Sequence, residues 1–243
     1  MVNKLKSVFC FLLIFTLLFG VLLRFSFDEN TNKNSDIFSE TRYLTFGDSI
    51  TYGNWLEDSY PELVANELGC KGYSNRGIGG STYVYQSNRG CITDTVVSTL
   101  DKVGHYDIIS VSGGGNDHDL SLPLGDISDK TKDTIYGSLN IIAEALKKRQ
   151  EDSFVFFITP LMAKSERINY EGYRRKDIAN AVITVGEKYG IPVLDLYSTS
   201  EFEKVECGMN HPDCDGVHPI QEFMNEYMAP KIARFIKNNY RAR

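Results

Sequence analysis

From Arg42 onward, short apolar runs alternate with longer stretches in which apolar residues recur every three or four positions. The runs RYLTF (42–46), KGYSN (71–75), YDIISVSG (106–113), SFVFFITP (153–160) and IPVLDLYS (191–198) read as strands. Between them, Ile135, Leu139, Ile142 and Leu146 keep helical spacing, as do Ile178, Val182, Val185 and Tyr189, because residues three and four apart share one face of a helix. Shorter helices are expected over 60–68 and 92–103. A last helix is expected over about 221–239, with Pro230 kinking or restarting it, since proline has no backbone donor. Strands alternating with helices predict a parallel sheet covered on both faces. The expected fold class is therefore α/β, a three-layer α/β/α sandwich around a central, mostly parallel five-stranded sheet. The segment FVFFI, apolar at every position, suits a central strand of such a sheet.

The first 24 residues break this pattern. Lys4 and Lys6 precede SVFCFLLIFTLLFGVLL, an uncharged apolar run that ends at Leu23 and is followed by Arg24. This is the layout of a secretory signal or a short membrane anchor; a run apolar on every face is not a half-buried core helix. Its length is near the lower limit for spanning, roughly 17 residues. No pair of small residues stands at the offsets needed for cleavage, which favours an uncleaved anchor over a signal peptide. Basic residues ahead of the run predict that the body lies outside the cytoplasm. Cys10 is too early, with the wrong neighbours, to be a lipoprotein cysteine. SFDENTNKNSDIFSE then reads as a polar tether, which divides the chain into an N-terminal segment (1–24), a linker (25–40) and one domain (41–243).

With 243 residues and 42% hydrophobic composition, the chain can bury one sizeable core. The net charge is -6, and the charges before Phe25 are all basic, so the body is more acidic still. An acidic body argues against nucleic acid as a partner, because phosphate binding needs a basic face. Membrane contact is expected only through the N-terminal segment. Beyond Cys10 stand Cys70, Cys91, Cys207 and Cys214, and an exported body permits disulfides. Cys207 with Cys214 closes a short loop and is the first pairing expected, with Cys70–Cys91 next; free buried thiols are the alternative.

Ligands of open parallel sheets bind beyond the carboxyl ends of the strands. Three Gly-rich polar segments fall on that edge: GDS after the first strand, NRGIGGST after the second and GGGNDHD after the third. A nucleophilic Ser49 needs a base, and the chain has four histidines, His105, His118, His211 and His218. His105 precedes the third strand and so sits at the wrong edge. His218 stands three residues after Asp215, a spacing that lets one turn present a carboxylate to Nδ1 while Nε2 points outward. His211 is the competing base but has no acid at that spacing on its N-terminal side. Acyl transfer also needs donors for a developing oxyanion. Gly79 and Gly80 can leave a backbone N–H uncovered, and Asn116 can supply a neutral amide, with Asp117 fixing the loop around it.

Together these segments resemble the SGNH (GDSL) hydrolase superfamily over nearly all of residues 42–240, which implies a flavodoxin-like sandwich and a serine esterase. The resemblance rests on four separated blocks in the family's order. They are GDSITYG with Ser49, NRGIGG, GGND with Asn116, and DGVH with Asp215 and His218. It implies Ser49 as nucleophile, His218 as base and Asp215 as orienter. It also implies an oxyanion hole made by the backbone N–H groups of Ser49 and Gly80 and the amide of Asn116, with Gly79 as the alternative glycine. No G-x-S-x-G occurs, which argues against the ordinary α/β-hydrolase elbow. Neither G-x-G-x-x-G nor a P-loop lysine is present, so a phosphate cradle is not expected. His211, Asp213, Cys214, Asp215 and His218 are metal-capable types, but C-x-x-C and H-E-x-x-H spacings are missing; no metal or cofactor is expected. The remaining rivals are a non-catalytic glycan-binding domain and a lipase or lysophospholipase. An exported body puts acyl-CoA out of reach, and Trp55, Tyr83, Tyr85 and Tyr170 in the loops suit sugar stacking, with places in the core or on the bare surface as the equal alternative. The expected substrate is a small-acyl, O-acetyl ester on a carbohydrate.

Overall fold

In the computed structural model, which describes residues 37–163, 167–199 and 215–241, five strands form one sheet in the order β2-β1-β3-β4-β5. They are β1 (Arg42–Gly47), β2 (Gly72–Gly77), β3 (Ile108–Ser112), β4 (Phe154–Ile158) and β5 (Val193–Leu194). Every neighbouring pair is parallel. The helices are α1 (Ser49–Tyr52), α2 (Tyr60–Leu68), α3 (Ile92–Leu100), α4 (Gly115–Asp119), α5 (Ile135–Lys147), α6 (Arg175–Tyr189), α7 (Gln221–Phe223) and α8 (Ala229–Asn239).

Successive side chains of a strand point to opposite faces, and this alternation builds two cores. Leu44, Phe46, Ile109, Val111, Val155 and Phe157 face the first, which α3, α5 and α6 cover. Tyr43, Ile108, Phe156 and Ile158 face the second, covered by α2 and the C-terminal helix. All five residues of β3 are buried, as a strand covered on both faces requires. The chain visits β2 on one side of β1 and then returns to β3 on the other. The strand order therefore reverses between β1 and β3, and a crevice opens there at their carboxyl ends.

Helix ends follow local chemistry. Pro61 occupies the first turn of α2, and Gly69 ends the helix in a left-handed conformation, φ 72°. Thr134 caps α5 by accepting from Gly137 N–H at 3.1 Å. Asp177 Oδ2 accepts the Arg174 N–H at 2.7 Å and fixes the start of α6.

Several elements differ from the sequence expectation. β5 has two residues, not eight, because side chains take over its hydrogen bonds. Thr159 Oγ1 accepts the N–H groups of Leu196 and Tyr197, and Asp195 Oδ1 accepts that of Ser198. β2 runs on to Gly77, paired with Gly47 of β1, despite the poor strand propensity of its polar residues. α3 stops at Leu100, short of the expected 103. In the last helix, a π-helical turn over Met224–Met228 leads directly into the segment containing Pro230, where the normal i→i−4 donor is lost. Phe38, within the segment read as linker, is buried and packs against Tyr240 with the rings tilted, so the packed unit includes it.

The Cys70–Cys91 pairing is corrected: both are free thiols. Cys70 precedes β2 and Cys91 follows its end, so a strand of six residues, about 20 Å, separates the sheet edges on which they stand. Thr41 Oγ1 donates to Cys70 Sγ at 3.3 Å, and Cys91 Sγ donates to the Tyr83 carbonyl. Cys207, Cys214 and the N-terminal apolar run lie outside the described residues. Among the described residues, no helix is long and apolar enough to cross a membrane.

Candidate active site

β1 delivers the chain to the crevice at Gly47, where a Cβ would collide with the Thr51 side chain. Asp48 caps α1 by accepting the Ile50 N–H at 3.0 Å, which makes Ser49 the first residue of a four-residue helix. Gly53, at φ 67°, ends it. Beneath this helix, Tyr43, Ser110, Thr45, Tyr60 and Thr51 form a buried chain of hydroxyl contacts at 2.7–3.2 Å. The chain fastens α1 to β1 and β3. From the other side, Asn75 Nδ2 donates to the Thr51 carbonyl at 2.8 Å while Asn75 Oδ1 accepts the Gly77 N–H. The nucleophile candidate is thus mounted on a short, heavily braced element.

Ser49 Oγ lies 2.9 Å from His218 Nε2. His218 Nδ1 lies 2.7 Å from Asp215 Oδ2, while Asp215 Oδ1 accepts the backbone N–H groups of Val217 and His218 at 2.8 and 2.7 Å. The carboxylate beside Nδ1 selects the tautomer that leaves Nε2 able to accept the Ser49 proton. Partial burial would raise the Asp215 carboxyl, but the hydrogen bonds from His218 and from the two N–H groups outweigh it. The group is held below the usual carboxylate range. Trp55 packs over the imidazole, ring centroids 4.6 Å apart, and its Nε1–H donates to the Pro219 carbonyl. Gln221 joins the two loops by accepting from Glu57 and Asp58 N–H and donating to the Asp58 carbonyl.

Gly80, at φ 71°, and Asn116 line the same cleft as Ser49 and His218, a space of about 500 Å³ that Asn54, Trp55 and Asp215 also border. Gly79 is not among the lining residues. Asn116 Nδ2 donates to the Ser81 carbonyl at 2.8 Å, and Ser81 Oγ donates to the Gly47 carbonyl. Asp117 is wholly buried, and its two oxygens accept the N–H groups of Tyr83 and Val84, each at 3.0 Å. One carboxylate therefore ties α4, which carries Asn116, to the loop that carries Gly80. Burial pushes Asp117 up to about 7, against the lowering effect of those two hydrogen bonds. Burial also raises Asp48, while the Ile50 N–H, Arg175 and His218 pull it down.

Other sequence candidates fall elsewhere. His105 is exposed at the opposite edge, paired with Asp107, as its position implied. His118 is buried on α4 between Asp119 and the Arg167 carbonyl and belongs to the scaffold. His211 and Asp213 lie outside the described residues, and among the described residues no cluster of three metal-capable side chains occurs. Of the aromatics, Tyr83 is wholly buried in the core and unavailable to a ligand, which corrects its sugar-stacking role in favour of the core alternative. Tyr85 packs under Lys132, and Tyr170 is fully exposed. Sequence reasoning missed Arg175, which is 2% exposed and donates from Nη2 to both oxygens of Asp119 at 3.1 Å. The two residues are 56 positions apart, and no local spacing marks the pair.

A serine at the switch point of a parallel sheet, bonded through histidine to a carboxylate, suits a serine-type hydrolase with an α/β/α sandwich fold. Residues 45–223 match the model of the GDSL-like lipase/acylhydrolase family; the chain belongs to that family and is an ester hydrolase. It is similar to a crystal structure of a protein from Lactobacillus plantarum, with 25% identity, a TM-score of 0.72, and 83% of this chain and 99% of that one covered. Two further likenesses concern the fold alone. A lipase/acylhydrolase from Enterococcus faecalis shows 22% identity and a TM-score of 0.58 over 84% of this chain and 98% of that one. The native aryl esterase of M. smegmatis shows 16% identity and a TM-score of 0.60 over 82% and 99%. Among curated protein sequences, none matches the chain.

Proposed function

We propose that the protein is a serine esterase that removes small acyl groups, O-acetyl above all, from a carbohydrate. The observation that carries the catalytic part is the unbroken line of contacts from Ser49 Oγ through His218 to Asp215, at 2.9 and 2.7 Å. Ser49 Oγ attacks the ester carbonyl carbon as its proton passes to His218 Nε2. The carbonyl oxygen becomes an oxyanion, bonded by the backbone N–H groups of Ser49 and Gly80 and by the second N–H of the Asn116 amide, whose first serves Ser81. His218 then gives its proton to the alcohol oxygen, which departs and leaves an acyl-serine. Water repeats the sequence: His218 takes its proton, the hydroxide adds to the acyl carbon, and Ser49 Oγ is reprotonated as the acid leaves. Asp215 keeps the imidazole oriented and stabilises its charged form throughout.

The carbohydrate assignment is supported by Trp55. The residue is 39% exposed, its ring is fixed by the bond to Pro219, and it lines an open cleft together with Asn54. A fixed aromatic face beside polar groups is a platform for a sugar ring. Lys4, Lys6 and the apolar run behind them support an enzyme held outside the cytoplasm, attached to the membrane by that segment or released. The test compares acetate release from acetylated xylan, pectin and cell-wall glycans with hydrolysis of p-nitrophenyl palmitate and a lysophospholipid. Preference for an acetylated glycan is the expected result. Preference for the long-chain lipids would replace this reading with a lipase.

A further inference from the structure

Two different spaces border Ser49. One, the open cleft, is bordered by His218; the other is a chamber of about 20 Å³ bounded by Ser49, Gly115, Asn116, Leu161 and Arg175, with Asp48 and Val217 also in its lining. Neither His218 nor Trp55 reaches the chamber. We propose that this chamber receives the acyl group, and that Leu161 and Arg175 close it at the length of acetyl. The proposal rests on the esterase reading above.

Stereochemistry decides which space serves which half of the ester. The general acid must reach the leaving oxygen, so the alcohol lies on the His218 side, in the wide cleft. The oxyanion takes the direction of the Gly80 and Asn116 donors. The acyl carbon takes the direction that remains, and the chamber, which borders Ser49 and Asn116 but neither His218 nor Gly80, is the space proposed for it. Accessible space of about 20 Å³ holds one water-sized group, which a single methyl fills.

Its walls are poorly suited to yielding. Leu161 is 3% exposed and Arg175 2%. The guanidinium is held by both oxygens of Asp119 and donates from Nη1 to the Leu161 carbonyl at 3.4 Å, so the two walls are joined. Arg175 Nε is buried with no hydrogen-bond partner. A longer alkyl chain would have to displace packed atoms or lie against a buried charge with an unmet donor, and both are unfavourable. The wide side of the site thus admits a bulky alcohol, while the narrow side admits a short acyl group.

The test is kcat/KM for p-nitrophenyl acetate, propionate, butyrate and hexanoate, each divided by the ester's own hydroxide-catalysed rate. Wild type should lose roughly 10-fold or more for each methylene beyond acetyl. Leu161→Ala should flatten the series and raise relative butyrate turnover by roughly 10-fold or more. Should that variant fail to fold, Gly115→Ala decides. Its backbone needs no positive φ, and its methyl would sit 3.7 Å from the Arg175 guanidinium carbon, an ordinary contact. It should lower propionate turnover more than acetate, because it fills the chamber. Wild type turning over butyrate as well as acetate would overturn the proposal, as would an equal loss on all esters in Gly115→Ala, which signals a displaced Asn116. Acetate hydrolysis that survives Ser49→Ala would instead remove the esterase reading, and the proposal with it.

Discussion

Replacing Asp117 with asparagine should change how stability depends on pH, because the native carboxyl is buried and held up to about 7. In the unfolded chain it ionises near its ordinary 3.8; in the folded protein it keeps its proton to about 7. Between those values the folded state binds more protons than the unfolded state, so stability falls as pH rises. The gap corresponds to about 4 kcal/mol over the whole range, about 3 of it between pH 4.5 and 7.5. The asparagine cannot titrate. It keeps one acceptor for the Tyr83 and Val84 N–H groups and loses the other, a cost of about 1–3 kcal/mol that does not vary with pH. Urea unfolding of both proteins at pH 4.5, 5.5, 6.5 and 7.5 measures the difference, in which titrating groups not coupled to Asp117 cancel; Asp48, which is coupled to it, does not. Wild type should lose stability relative to Asp117→Asn as pH rises. A difference constant across the range, or one that grows in favour of wild type, would refute the reasoning.

Asn116→Ala should lower kcat about 10²–10³-fold with little change in KM, as loss of the proposed oxyanion donor requires, and should lower the unfolding midpoint because the Ser81 carbonyl loses its donor. A loss confined to KM would mean uniform binding of substrate instead. Cys70 and Cys91 should both be alkylated in urea without reductant, as free thiols are; a mass spectrum showing them protected as a linked pair would contradict the fold. Cells expressing the full chain should carry uncut enzyme in the membrane fraction, open to protease added to spheroplasts. Uncut enzyme in the cytosol would remove the export argument and the glycan preference with it.

What could be read from the sequence was what local spacing determines. Asp215 and His218 are three residues apart, and one turn brings the carboxylate to Nδ1. The boundaries of α2 follow from Pro61 and Gly69 on either side of an apolar stripe. GDS, NRGIGG and GGND were legible as neighbours because parallel strands deliver all their carboxyl ends to one edge. What long-range closure determines was not legible. Tyr83 sits in a polar loop, and its ring is buried because it packs into the core over Gly113 and Gly114, while Asp117 takes its backbone N–H. The hydroxyl chain under α1 depends on Thr45 and Ser110 standing opposite each other in register, which one sequence does not reveal. Arg175 looks like a surface residue of a polar stretch until Asp119 is placed beside it. β5 shortened because Thr159 and Asp195 compete with the sheet for its backbone, an outcome that apolar run length does not encode.

The central claim is that Ser49 is the nucleophile activated by His218. The direct measurement is the mass of the protein after reaction with a serine-directed fluorophosphonate, followed by peptide mapping, on wild type, Ser49→Ala and His218→Ala. Wild type should gain one adduct, located on Ser49. Ser49→Ala should gain none and His218→Ala should react far more slowly, with p-nitrophenyl acetate turnover down by roughly 10³-fold or more in each. An adduct on another residue, or unchanged labelling and turnover in Ser49→Ala, would contradict the account.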